Sequence, residues 1–225
     1  MNRAARLVVL GALGGMTGCE VQVSQEALDL SGLDVSRIEV SSVSGAVTVT
    51  AGETLSVVRS AESGVPGFEF RHRARDGVLI LEERCPLPRT CAVTTAITMP
   101  AHLDLAVALD SGQVALEGLS GAVDITGEGL TVSGVAMRSS ALTMSVDNGT
   151  VDMELEDPPR AVFFWVGSGE VNLNVPAGAY LLDVEAPLGE LRLVNVVHDP
   201  ASDLTLSAVV DVGDLAVEGE VITAE

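Results

Sequence analysis

The chain has 225 residues, 47% of them hydrophobic, and carries 32 acidic against 12 basic residues for a formal charge of −20. Such a balance repels nucleic acid and anionic lipid, which excludes a phosphate-backbone binder. Every basic residue is arginine, and the absence of lysine removes P-loop, Schiff-base and Ser-x-x-Lys chemistries together.

At the start, Arg3 and Arg6 precede the short apolar run Leu7–Leu13, the layout of an export signal. That run falls well short of the roughly 20 apolar residues that span a bilayer. Met16-Thr17-Gly18-Cys19 then resembles the bacterial lipobox. The resemblance implies cleavage before Cys19 and a multiply acylated cysteine that anchors the chain to a membrane. In a host with two membranes, Glu20 stands where an aspartate typically retains lipoproteins on the inner one, which implies the outer membrane. Loss of Arg3 and Arg6 leaves 10 basic residues against 32 acidic. The expected division is a signal peptide over 1–18, a polar tether over 19–36 and one domain over 37–225.

Strand-like alternation begins at Ile38-Glu39-Val40 and continues through Ser44-Gly45-Ala46-Val47. Phe68 to Arg75 alternates aromatic with basic residues. Pro86 and Pro88 mark an irregular loop between Cys85 and Cys91. In an exported chain these two cysteines are expected to form a disulfide, with a pair of buried thiols as the alternative.

From Leu105 onward the pattern can be indexed. A phrase of glycine, any residue, apolar, polar, apolar recurs at Gly149, Gly169, Gly189 and Gly213, at intervals of 20, 20 and 24 residues. A fixed period of this size is the mark of a solenoid, whose repeats bury their apolar faces by stacking. The expected fold is therefore all-β: a parallel β-solenoid, or single-chain β-helix, with coils of about 20 residues and no substantial helix. Two inward columns follow. The first runs Leu105, Val123, Leu142, Val162, Leu182, Leu204; the second runs Val114, Leu130, Val151, Val171, Leu191, Leu215. Glycine suits the corners because it takes positive φ and lets backbones approach closely. The last coil, holding Val217, is expected to need a cap or a dimer contact.

The recurring Ser-Gly-x-Val-x-apolar phrase and the segment Val93-Thr94-Thr95-Ala96-Ile97-Thr98-Met99-Pro100, behind a lipoprotein-like start, resemble the bacterial putative-adhesin family of uncharacterised function. The likeness covers about Ile38 to Glu218. It implies a fold similar to parallel β-helices and supplies no catalytic residues.

No Gly-x-Ser-x-Gly, His-Glu-x-x-His or Cys-x-x-Cys motif occurs, and His72, His102 and His198 stand apart. No cofactor is expected. Phe163 and Trp165 index to the outward face, with Leu181 expected beside Phe163 on the next coil. They form a candidate contact patch for a protein or a sugar ring, unless another segment folds across them. Glu170, Glu190 and Asp214 are expected on successive coils. Such a ladder of like charges is a weak calcium candidate, the alternative being a solvated acidic edge. The expectation is a non-enzymatic, lipid-anchored envelope protein that binds an envelope protein or polysaccharide. The rival is a polysaccharide-acting β-helix enzyme. Oligomeric state does not follow from the sequence.

Overall fold

Dense β-branched residues in short alternating runs, broken by glycine, favour strands over helices throughout. The computed structural model describes residues 22–30, 32–63, 66–87 and 91–220, and among them there is no helix. The strands are β1 (Gln22–Asp29), β2 (Arg37–Ala51), β3 (Ser56–Ser63), β4 (Glu69–Arg75), β5 (Val78–Arg84), β6 (Cys91–Met99) and β7 (Asp104–Glu117). They continue as β8 (Val123–Met137), β9 (Ala141–Leu155), β10 (Ala161–Pro176), β11 (Gly178–Glu185), β12 (Leu191–Val194), β13 (Val196–His198) and β14 (Thr205–Glu220). All join one large, mostly parallel sheet. Cys19 lies outside the described residues.

The long strands are bent. In β9, Leu142, Met144 and Val146 are buried, and then the parity changes so that Val151, Met153 and Leu155 are buried. A straight strand keeps one parity, so the backbone turns between these halves. The turn falls at Gly149, where φ is +155°. The equivalent Gly169 has φ +149°, and a β-carbon there would lie 1.7 Å from the carbonyl oxygen of Gly149. Only glycine permits both the conformation and the contact. Both halves of each strand contribute to a single apolar core.

Along the sheet the first-half column runs Leu79, Ile38, Leu105, Val123, Leu142, Val162, Leu206, Leu182. All but Leu182 are buried. Each such side chain contributes roughly 1.5–3 kcal/mol relative to an exposed one.

Two expectations are corrected by this order. β14, rather than β11, lies beside β10, so Leu206 replaces Leu204 in the column and Leu182 comes last. Val217 is therefore internal, with Leu193 paired outside it, and is fully buried. At the other end β2 lies inside, between β7 and the pair β5 and β6. The physical reason is the same at both places. Pro187 interrupts the segment between β11 and β12, and Pro86 follows β5, so these levels are split and lie outside the run of long continuous strands. β2 and β14 are continuous, and each pairs on both sides. In the second-half column Leu130 falls at a corner, paired with Gly112 and Gly149, and Val132 takes the expected place. Leu130 fills the space over Gly127, while Met153 fills that over Gly134.

The segment expected as a tether contains β1, which pairs antiparallel with β3, itself antiparallel to β6. Its inward Glu26 forms a buried ion pair with Arg59 of β3, which makes the stretch read as polar in sequence. Arg59 also donates to the carbonyls of Arg71 and Glu82 and lies 4.6 Å from the centre of the Phe70 ring. It thus ties β1, β3, β4 and β5 together. Cys85 and Cys91 form the expected disulfide.

Gly169→Ala is expected to cost about 3 kcal/mol or more, read by chemical denaturation. Gly129→Ala, whose new β-carbon would meet nothing nearer than 3.9 Å, should stay within about 1 kcal/mol of the parent.

Candidate binding face

Residues alternating with the buried column point outward and form two rows across the strands. One runs Ile80, Glu39, Ala106, Asp124, Thr143, Phe163, Ser207, Asp183. The other runs Glu82, Ser41, Ala108, Thr126, Ser145, Trp165, Val209, Glu185. Ala106 and Ala108 carry only methyl groups, so the surface sinks between their longer neighbours. A groove of about 210 Å³ lies there, lined by Glu39, Ser41, Arg73, Glu82, Asp124 and Thr126 among others. Arg73 reaches it from β4, held by an ion pair with Glu82 at 3.1 Å. This wall depends on the β4–β5 hairpin, whose position no local motif announces.

The rows continue from the groove through Thr143 and Ser145 to the aromatic pair. Phe163 is 49% exposed, and Trp165 is half-buried with its ring edge over Gly167. Leu181 is not beside Phe163. It pairs with Thr205 of β14, two strands from β10 and level with Ala161. Two shifts separate them: it is Asp183, two residues on from Leu181, that is level with Phe163, and β14 lies between β10 and β11.

The acidic ladder is reordered for the same reason, to Glu170, Asp214, Glu190. Its carboxylates have partners: Asn172 donates to Glu170 at 3.0 Å, and the Glu190 amide donates to Asp214 at 2.9 Å. No group of three or more potential metal-ligating side chains converges among the described residues.

A second depression, about 330 Å³, adjoins the first and is lined by Ser42, Arg71, Glu82, Glu83 and Asp110 among others. Glu83 accepts hydrogen bonds from the Ser42 hydroxyl and from the Val43 amide at 3.0 Å. Burial pushes its carboxyl above the ordinary glutamate value, outweighing those two bonds and the Arg59 charge. Sequence reasoning missed Glu83; its neighbours Glu82 and Arg84 make it look like part of a solvated charge run.

No family model matches the chain, and no curated protein matches it. Among solved structures it is similar to a putative cell adhesion protein from Clostridium sporogenes, at TM-score 0.53 and 10% identity, over 89% of this chain and 100% of that one. It is also similar to a putative adhesin from Bacteroides fragilis, at TM-score 0.28 and 10% identity, over 92% and 100% of the two chains. A putative adhesin from Parabacteroides merdae gives TM-score 0.32 and 11% identity over 88% and 96%. The first likeness speaks to the fold alone, and the other two carry no argument about it. The description of the first agrees with the family resemblance read from the repeats.

The raised pKa of Glu83 has a thermodynamic consequence. The folded state keeps a proton that the unfolded state releases, so stability falls as pH rises past the ordinary glutamate pKa of about 4.3 toward the raised value. Glu83→Gln keeps an acceptor oxygen for Val43 and removes the ionisation. Melting temperatures between pH 4 and 8 should fall less with pH in the variant than in the parent.

Proposed function

We propose that this chain is a lipid-anchored envelope protein whose bent parallel sheet coils as a β-solenoid and presents its outward rows to a macromolecular partner. Adhesion or binding is the activity, and the observation that carries it is the outward face whose rows start in the groove at Arg73 and end on the exposed ring of Phe163. An exposed phenyl ring on a surface otherwise built of small and acidic side chains is the feature that a solvated face lacks. The adhesin descriptions of similar structures support the same reading. Cys19, through its acyl chains, holds the domain at the membrane, with the outer membrane as its address in a two-membrane host.

A second reading, hydrolysis of a polysaccharide, rests on Glu83. A carboxyl with a raised pKa in a depression also lined by Glu82 and Asp110 has the elements of an acid and base pair. Release of reducing ends from envelope glycan, abolished by Glu83→Gln, would favour this reading over binding.

Cys19→Ala should move the protein from the membrane pellet to the soluble fraction and end incorporation of labelled fatty acid; continued labelling would overturn the anchor. Retention of the purified protein on isolated envelopes of the producing cells should drop about tenfold in Phe163→Ala, equivalent to about 1.4 kcal/mol. Equal retention of parent and variant would remove the outward rows that end on Phe163 from the binding site.

A further inference from the structure

The chemistry of the two outward rows narrows the partner class, given the reading that this face binds a macromolecule. We infer that its ligand is a neutral polysaccharide chain lying across the strands, with one or more sugar rings on Phe163 and Trp165. Three features select it.

Charge comes first. The rows hold Glu39, Glu82, Asp124, Asp183 and Glu185, and the single cation at the groove, Arg73, is already paired with Glu82. An ionised carboxylate only accepts hydrogen bonds, so this surface suits a ligand rich in hydroxyl donors and repels polyanions. Thr126, Thr143, Ser145 and Ser207 add hydroxyls that donate and accept.

Apolar content comes second. Phe163 is the large hydrophobic residue of these rows that stands prominently exposed; Trp165, Val209 and Ile80 are half-buried. A protein partner would need a broader desolvated apolar centre than one ring with small polar neighbours. A sugar ring needs less: an aromatic face under its C–H groups and polar groups around its rim. Phe163 and Trp165 lie two residues apart on β10, flanked by Thr143 and Ser145 on one side and by Ser207 and Val209 on the other.

Shape comes third. From Ile80 to Phe163 the row crosses five strand spacings of ~4.8 Å, about 24 Å in all. The groove at its Ile80 end is shallow and open, and beyond it Thr143 and Phe163 are exposed, which fits a polymer rather than a single small molecule enclosed on most sides.

The test titrates the purified protein with soluble hydroxyethyl cellulose, amylose and galactomannan, with polygalacturonate as the anionic control, following Trp165 fluorescence and co-sedimentation. Binding to at least one neutral polymer, little changed in 1 M salt and weakened tenfold or more by Phe163→Ala, is the expected result. A second variant, Thr143→Arg, leaves the aromatic pair intact and should shift preference toward polygalacturonate. In parallel, isolated envelopes are treated with periodate, which cleaves sugar diols, or with protease. Loss of Phe163-dependent retention after periodate alone supports the glycan. Loss after protease alone, or no binding to any neutral polymer, overturns the glycan while leaving a binding face with a protein partner. Absence of any Phe163-dependent retention overturns the binding face itself.

Discussion

The corner at which one strand's carbonyl oxygen occupies the place of the next strand's β-carbon governs this molecule. Gly112 sits against the Gly45 carbonyl, Gly169 against that of Gly149, Gly213 against that of Gly169 and Gly189 against that of Gly213. The contact holds successive corners in line. Because the corners are in line, the two apolar runs of each strand meet equivalent runs above and below. The continuous core follows from that alignment, as do the two straight outward rows. A side chain at the corner would push the levels apart and tilt both rows at once. One strand departs from the rule: Leu130 holds the corner place, and the space that its neighbours leave at Gly127 receives it. Leu130 is not among the residues with positive φ, so this strand turns its corner with a different backbone from the glycine corners.

Much of the architecture was readable from the repeats, and the limits of that reading have a definite cause. Columns through β7, β8, β9 and β10 follow from spacing, Leu130 apart, because those strands are consecutive in both chain and sheet. The phrases at Gly189 and Gly213 are locally equivalent, so the pattern cannot say which of them lies beside Gly169. What decides is continuity. β14 can pair along its whole length on both sides, whereas the segment around Pro187 cannot. The acidic ladder was misplaced by this one ambiguity, and Leu181 by it together with a register two residues off, since Asp183 is level with Phe163. β1 was hidden for a different reason, since its inward position is an acid, Glu26, that only the distant Arg59 makes tolerable.

The proposed binding face was half legible. Phe163 and Trp165 point outward by simple alternation, and their rarity in a chain of six aromatic residues draws the eye to them. The groove on the same face was not, because it arises from what Ala106 and Ala108 lack and from a hairpin that brings Arg73 against them. Absence of bulk leaves no motif. The same holds for Glu83, whose burial depends on Ser42 and Val43 some forty residues earlier.

The placement of β14 between β10 and the pair β11 and β12 bears on how the chain is assembled. A chain made amino end first can add most levels one after another. The stretch 178–204 has no such option, because its neighbour in the sheet is made last. It must wait, looped out, until the final strand has been made and has seated itself. The finished stack is thereby locked by its own last-made piece, and a chain cut short before β14 lacks the strand on which β11 and β12 rest.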